Sequence, residues 1–133
     1  MAVHQGATPN DENARPMLVK GQDLEYVEAD WGQLTWFAGE SLGNSDYLTL
    51  GRCILYPEQE NPRHYHPNCD EILTVIQGTI RHTWIDNEEV EMHEGDTITI
   101  PCGMLHQARN VGSGNAVLII AFTAADRQTV GEM

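Results

Sequence analysis

The sequence predicts an all-β chain, an antiparallel sandwich or barrel, and three observations carry that prediction. Eight short runs rich in β-branched and aromatic residues follow one another from Tyr47 onward. Each is bounded by a turn signal at Pro57, Pro67, Gly78, Asp86-Asn87, Gly95-Asp96, Pro101-x-Gly103 or Gly112-Ser-Gly114. No stretch shows the 3.6-residue apolar period of an amphipathic helix.

Taken in order, residues 1–20 are polar, hold Pro9 and Pro16, and lack periodicity, so they are expected to form a loose arm ahead of one domain over 21–133. A chain of 133 residues suffices for one domain with its own core. Glu25 to Trp31 and Leu34 to Ala38 are short strand candidates, with Trp31 and Trp36 expected to cover an open sheet face or a dimer interface. A loop rich in Gly, Ser and Asn follows over 39–46. The eight runs are Tyr47–Tyr56, Arg63–His66, Glu71–Gln77, Thr79–Ile85, Val90–His93, Thr97–Ile100, His106–Asn110 and Val117–Thr123. Residues Ala124 to Met133 read as a short helix or a frayed tail.

The chemistry concentrates in His64-Tyr-His66-Pro-Asn-Cys-Asp-Glu71 and, some forty residues later, His106. Histidines at i and i+2 of a strand point to the same face, so both imidazoles can reach one ion. Glu71 adds a carboxylate oxygen, and a third imidazole from His106 leaves positions open on a six-coordinate ion. His82 shares strand parity with Ile80 and Trp84, which places it on the predicted interior face as a hydrogen-bonded core residue or an acid–base group. Tyr65 and Arg63 have the parity opposite to the ligands. Arg52 and Arg109 are the remaining candidates for anchoring an anionic substrate. His4 and His93 are expected to be solvated.

The patterns His64-x-His66-x4-Glu71-x6-Gly78 and Gly95-x5-Pro101-x-Gly103-x2-His106-x3-Asn110, within 58–78 and 95–110, resemble the two motifs of the cupin superfamily. The first is also similar to the corresponding motif of germins and bacterial oxalate-acting cupins. The resemblance covers roughly residues 47 to 123. It implies a double-stranded β-helix, or jelly-roll, barrel and a metal held by His64, His66, Glu71 and His106. One departure is visible: the glycine that usually opens the first motif is replaced by Glu58, so the turn there is expected to be built differently.

This donor set suits Fe or Mn first, with Zn, Ni, Co or Cu also possible. Three functions then fit. Dioxygenase-type oxidation of a small carboxylate, keto or hydroxy compound is slightly favoured over Lewis-acid lyase, isomerase or decarboxylase chemistry, and a non-catalytic ligand-binding role is the third. The family habit of pairing and open sheet edges lead to the expectation of a homodimer.

Charge narrows the partners. Twenty acidic residues against seven basic ones give a formal charge of −13, and Lys20 is the single lysine. No basic patch is available for phosphates, so nucleic acid is excluded. An acid-rich, lysine-poor surface is either a halophile's device for solubility or an ordinary acidic surface. Three cysteines, Cys53, Cys69 and Cys102, form no disulfide framework and read as small buried thiols in a reducing compartment. With no apolar segment of membrane-spanning length and no basic, apolar leader at the start, a cytoplasmic protein without a membrane partner is expected.

Overall fold

The structure, a computed structural model, describes residues 15–131. Most of the predicted arm, including His4, lies outside the described residues. Eleven strands and single 3₁₀ turns make up the regular structure among those described. The strands are β1 (Tyr26–Ala29), β2 (Gly32–Ala38), β3 (Thr49–Leu55), β4 (His64–Tyr65), β5 (Glu71–Gln77), β6 (Ile80–Thr83), β7 (Glu89–Met92), β8 (Thr97–Ile100), β9 (Ala108–Asn110), β10 (Ala116–Phe122) and β11 (Val130–Gly131). All pairings are antiparallel.

A six-stranded sheet runs in the order β1-β2-β3-β10-β5-β8, and a three-stranded sheet in the order β7-β6-β9. Alternation along the strands decides which side is core. In β10 every second residue is buried, Ala116, Leu118, Ile120 and Phe122, and β3 does the same with Cys53 and Leu55. These side chains meet Ile80, Met92 and Ala108 of the smaller sheet in one core. At roughly 25 cal/mol per Å² of apolar surface removed from water, that shared face is the main drive for closing the barrel. Asn110 closes one end, its amide donating to Leu55 O at 2.9 Å and Gly114 O at 2.8 Å while its Oδ1 accepts from Gly112 N.

Three turns explain local departures from expectation. Asp86 and Asn87 take φ 55° and 63°, and Glu88 N donates to Ile85 O at 3.1 Å. Two successive left-handed residues make this a type I′ hairpin turn, whose twist matches that of the flanking strands. Between Thr83, which pairs with Glu89, and this turn, Trp84 leaves strand geometry at φ −117° and ψ −134°, so the strand stops at Thr83 and Trp84, expected on the interior face, is 46% exposed. Glu58 has φ 66° within the turn closed by Gln59 N donating to Tyr56 O. Pro57 then Glu58 fills a type II pattern, so the glutamate adopts the left-handed conformation that favours glycine.

The C-terminal segment is neither helix nor frayed tail over its described part. Val130 and Gly131 pair with Tyr65 and His64, forming a two-stranded sheet beside the barrel. Asn68 braces this strap, donating to Asp126 O at 3.1 Å and accepting from Gln128 N at 3.0 Å.

The tryptophans also depart from expectation. Trp36 lies opposite Gly51 on the inner side of β2, where a Cβ at Gly51 would come within 2.4 Å of the indole. Glycine leaves room for the ring, and Trp36 turns inward against Phe122 at 6.1 Å instead of covering an outer face. Trp31 likewise packs on the core.

Candidate metal centre

The donors come from three parts of the chain that the barrel closes onto one point. His64 and His106 form an antiparallel bridge, His64 N donating to His106 O at 3.1 Å and His106 N to His64 O at 2.8 Å. That pairing puts the two rings on one side, with centroids 4.3 Å apart. His66 follows two residues along, and Glu71 opens β5 on its inner face. One donor atom from each of His64, His66, Glu71 and His106 lies within 4.8 Å of all the others. His66, Glu71 and His106 are at most 3% exposed, while His64 is half-buried at the cavity side.

Hydrogen bonds fix the orientation of each imidazole. His64 Nδ1 donates to Pro62 O at 2.6 Å, and His66 Nδ1 donates to Gln128 O at 2.9 Å. A carbonyl can only accept, so in both rings Nδ1 carries the proton and Nε2 presents a lone pair. His106 reaches the same state through one more ring. His82 Nδ1 donates to Thr83 O at 2.8 Å, which leaves His82 Nε2 to accept from His106 Nδ1 at 3.2 Å. All three imidazoles therefore aim Nε2 inward, the arrangement by which outer hydrogen bonds hold metal-binding histidines.

Such a cluster fits a cation. His66 Nε2 stands 3.1 Å and His106 Nε2 3.4 Å from Glu71 Oε1, yet none of these three buried atoms has a hydrogen-bond partner. Lone pairs facing a carboxylate oxygen repel unless a positive charge lies between them. A proton is a poor substitute. Burial, followed by the neighbouring His64, His82 and His66, pushes the His106 imidazole down to about 2, and burial also lowers His64. A divalent ion satisfies all the donors together, and six-coordinate geometry leaves open positions beside them.

The other residues singled out from the sequence take various places. His82 is fully buried behind His106, its Nδ1 donating to Thr83 O and its Nε2 facing His106 Nδ1. His93 is solvated as expected, its side chain 61% exposed and paired with Glu91. Cys53 and Cys69 are buried, and burial raises the Cys53 thiol to about 12, but Cys102 is exposed at the turn after β8. Arg109 ion-pairs with Glu89 at 2.7 Å on the barrel exterior. Arg52 stacks over Phe37 at 5.5 Å, on the strand face opposite to Cys53. Neither arginine is the one that meets the site.

That residue is Arg127, on the C-terminal strap. It lines a cavity of about 230 Å³ together with His64, His66, Glu71 and His106. Much of the remaining wall is apolar, including Leu34, Trp36, Leu118 and Phe122. Nothing in the local sequence around Arg127 marks it, because it arrives through the pairing of β11 with β4.

Comparison with known proteins agrees with this construction. A family model described as "Cupin domain" matches residues 51–122. Among curated proteins, the chain is similar to a germin-like protein of Morus alba, 32% identical over 81 residues that make up 58% of this chain and 39% of that protein. It is also similar to germin-like protein subfamily 1 member 7 of Arabidopsis thaliana, 35% identical over 91 residues, which are 63% and 38% of the two chains. The chain thus spans less than half the length of these relatives. Among solved structures, a Bacillus subtilis oxalate decarboxylase variant superposes with a TM-score of 0.79 at 22% identity, covering 95% of this chain and 34% of that one. For a Lactobacillus farciminis oxalate decarboxylase in complex with formate the TM-score is 0.80 at 17% identity, with 96% and 39% covered. These superpositions show the jelly-roll fold, and since the family match spans every residue of the converging donor set, the chain belongs to the cupin domain family.

Proposed function

We propose that this protein is a mononuclear metal enzyme in which His64, His66, Glu71 and His106 hold one Fe or Mn ion, and that it oxidises a small carboxylate, keto or hydroxy compound with dioxygen. The observation that carries the reading is the convergence of three Nε2 lone pairs and one carboxylate oxygen, each imidazole locked from behind. Four protein donors would close a tetrahedral zinc site, whereas a six-coordinate ion keeps two positions for substrate and dioxygen. Bound there, a redox-active ion supplies both a Lewis acid and electron transfer. Manganese gains support from the Bacillus subtilis oxalate decarboxylase, whose Mn(II) centres have been characterised on a similar fold.

The chain's own residues prepare the site. Glu71 supplies the negative charge among neutral imidazoles, and the apolar wall limits the water that competes for the open positions. A second reading is Lewis-acid decarboxylase, lyase or isomerase chemistry on a small acid, and its decarboxylase form is supported by the activity named for the oxalate decarboxylases.

Metal content and oxygen dependence separate the readings. Protein purified without a metal-affinity tag should carry one Fe or Mn per chain, retained in His93→Ala and severely reduced in His66→Ala and His106→Ala. Equal metal content in all these proteins overturns the donor assignment. Substrate turnover that continues unchanged without dioxygen favours the decarboxylase or isomerase reading, and loaded protein that binds small acids without turning any over favours a binding role.

The proposal extends to a cytoplasmic homodimer. Leu50, Ile72 and Ile76 give the large sheet's outer face exposed apolar side chains, and free Cys53, Cys69 and Cys102 suit a reducing compartment. Light scattering on the eluting protein tests the dimer, and cell fractionation the compartment.

A further inference from the structure

Arg127 is a cation held at a cavity wall in a chain that is otherwise strongly acidic. Its guanidinium lies 4.3 Å from the Trp36 ring centroid and 5.1 Å from that of Phe122, and Nη1 donates to Thr129 Oγ1. Stacking of this kind holds the plane of the group without consuming its hydrogen-bonding edge. Among the described residues no carboxylate ion-pairs with Arg127. Among the described residues Arg52 forms no ion pair with a carboxylate either, but unlike Arg127 it lies outside the cavity. Arg81 and Arg109, by contrast, both pair with Glu89 on the exterior.

The strap delivers this charge to a defined place. His66 Nδ1 donates to Gln128 O at 2.9 Å, and Thr129 Oγ1 lies 3.2 Å from the same nitrogen. The residues on either side of this contact therefore tie Arg127 to the orientation of His66. Around it the wall is large and apolar: Trp36, Leu118, Ile120 and Phe122 face the same space. A two-carbon acid would leave most of that wall uncovered, while a ring or branched chain would bury it at roughly 25 cal/mol per Å².

From this juxtaposition we infer that the cavity takes an organic monocarboxylate with an aromatic or branched apolar body, its carboxylate gripped by Arg127 and its body against Trp36, Leu118 and Ile120. The inference rests on the reading of this cavity as the substrate site, and it names the substrate class. It identifies Arg127 as a specificity-determining residue. A guanidinium matches a carboxylate with two parallel N–H···O bonds, which a neutral amide cannot reproduce, while a smaller acid makes them but leaves the apolar wall uncovered.

The test uses benzoate, its neutral counterpart benzamide, and acetate, each titrated into manganese-loaded protein and into metal-free protein. Binding is read by calorimetry and by tryptophan fluorescence, since Trp31 and Trp36 line the cavity. Benzoate should bind roughly tenfold or more tighter than benzamide, the scale of one charge-assisted hydrogen bond, and roughly tenfold or more tighter than acetate, whose missing ring leaves the apolar wall uncovered. Arg127→Gln should remove the preference over benzamide, and Arg127→Lys should retain part of it with the stacking charge in place. Equal affinity for benzoate and benzamide in the unaltered protein overturns the inference, as does benzoate that fails to saturate at millimolar concentration. An Arg127→Gln protein that melts normally and binds benzoate undiminished overturns it too. Should the protein hold no metal while the metal-free form still binds benzoate through Arg127, the metal-enzyme reading falls and this inference stands.

Discussion

His82 Nε2 lies 3.2 Å from His106 Nδ1, on a ring with no exposed surface. This contact, backed by Thr83 O on the far side of His82, forces His106 to present Nε2 to the cluster. His82→Leu removes the acceptor and should weaken metal binding by about 10- to 100-fold, the usual cost of losing an outer partner of a metal-bound histidine. His82→Gln, whose amide oxygen can still accept, should lose less. Competition with a chelator measures both. Leu and Gln variants that hold metal as tightly as the unaltered protein, yet lose turnover, would return His82 to an acid–base role.

The buried imidazoles should make the metal-free protein sensitive to mild acid. His106, His82 and His64 all have their basicity lowered below the ordinary 6.5, chiefly by burial. Between pH 6.5 and the folded-state values the unfolded chain binds protons that the native chain refuses, so stability is full above about 6.5 and falls as pH drops below it. His106 alone contributes a slope of about 1.4 kcal/mol per pH unit once its unfolded form is protonated. The urea midpoint of metal-free protein should fall between pH 7.5 and 5.5, above the range where most carboxylates titrate. A flat midpoint would contradict neutral histidines in the cluster.

Glu58 offers a backbone test. A side chain in the left-handed region costs about 1–2 kcal/mol, and glycine recovers this against roughly 0.4–1 kcal/mol of extra unfolded-state entropy. At φ 66°, Glu58→Gly should therefore raise the melting temperature by about 2 °C without altering metal content. A lower melting temperature would mean that the glutamate makes an interaction worth more than its backbone strain.

The surface charge gives a prediction about salt. With a formal charge of −13, repulsion among carboxylates opposes the compact state, and salt screens it over about 10 Å at 0.1 M. The melting temperature should rise from low to molar potassium chloride. A flat or falling trend would remove the halophile-like reading of the composition and leave the metal site untouched.

How much of this was legible beforehand depends on whether a feature is local. Alternation placed Glu71–Gln77 and Thr97–Ile100 with the bounds that the structure gives them, because inward and outward environments are written residue by residue along a strand. The same parity set His64 and His66 on one side, and motif spacing added Glu71 and His106. Trp84 was misplaced because its own backbone leaves the strand one residue after Thr83, and Trp36 was misplaced because Gly51 leaves room for its ring on the inner side.

Tertiary structure alone decided the partners that make the donors usable. Two of the three imidazoles are oriented by backbone carbonyls, Pro62 O and Gln128 O, and a carbonyl carries no residue identity that a sequence pattern could reveal. Gln128 stands 62 residues from the histidine it orients, and Arg127 beside it reaches the cavity through a two-residue strand pairing. The sequence by itself pointed to the donors and the barrel, because strand period and the spacing of the two motifs that resemble those of cupins are both written along the chain. Which nitrogen each histidine presents, and which arginine faces the substrate, came from where the closing chain set down its backbone.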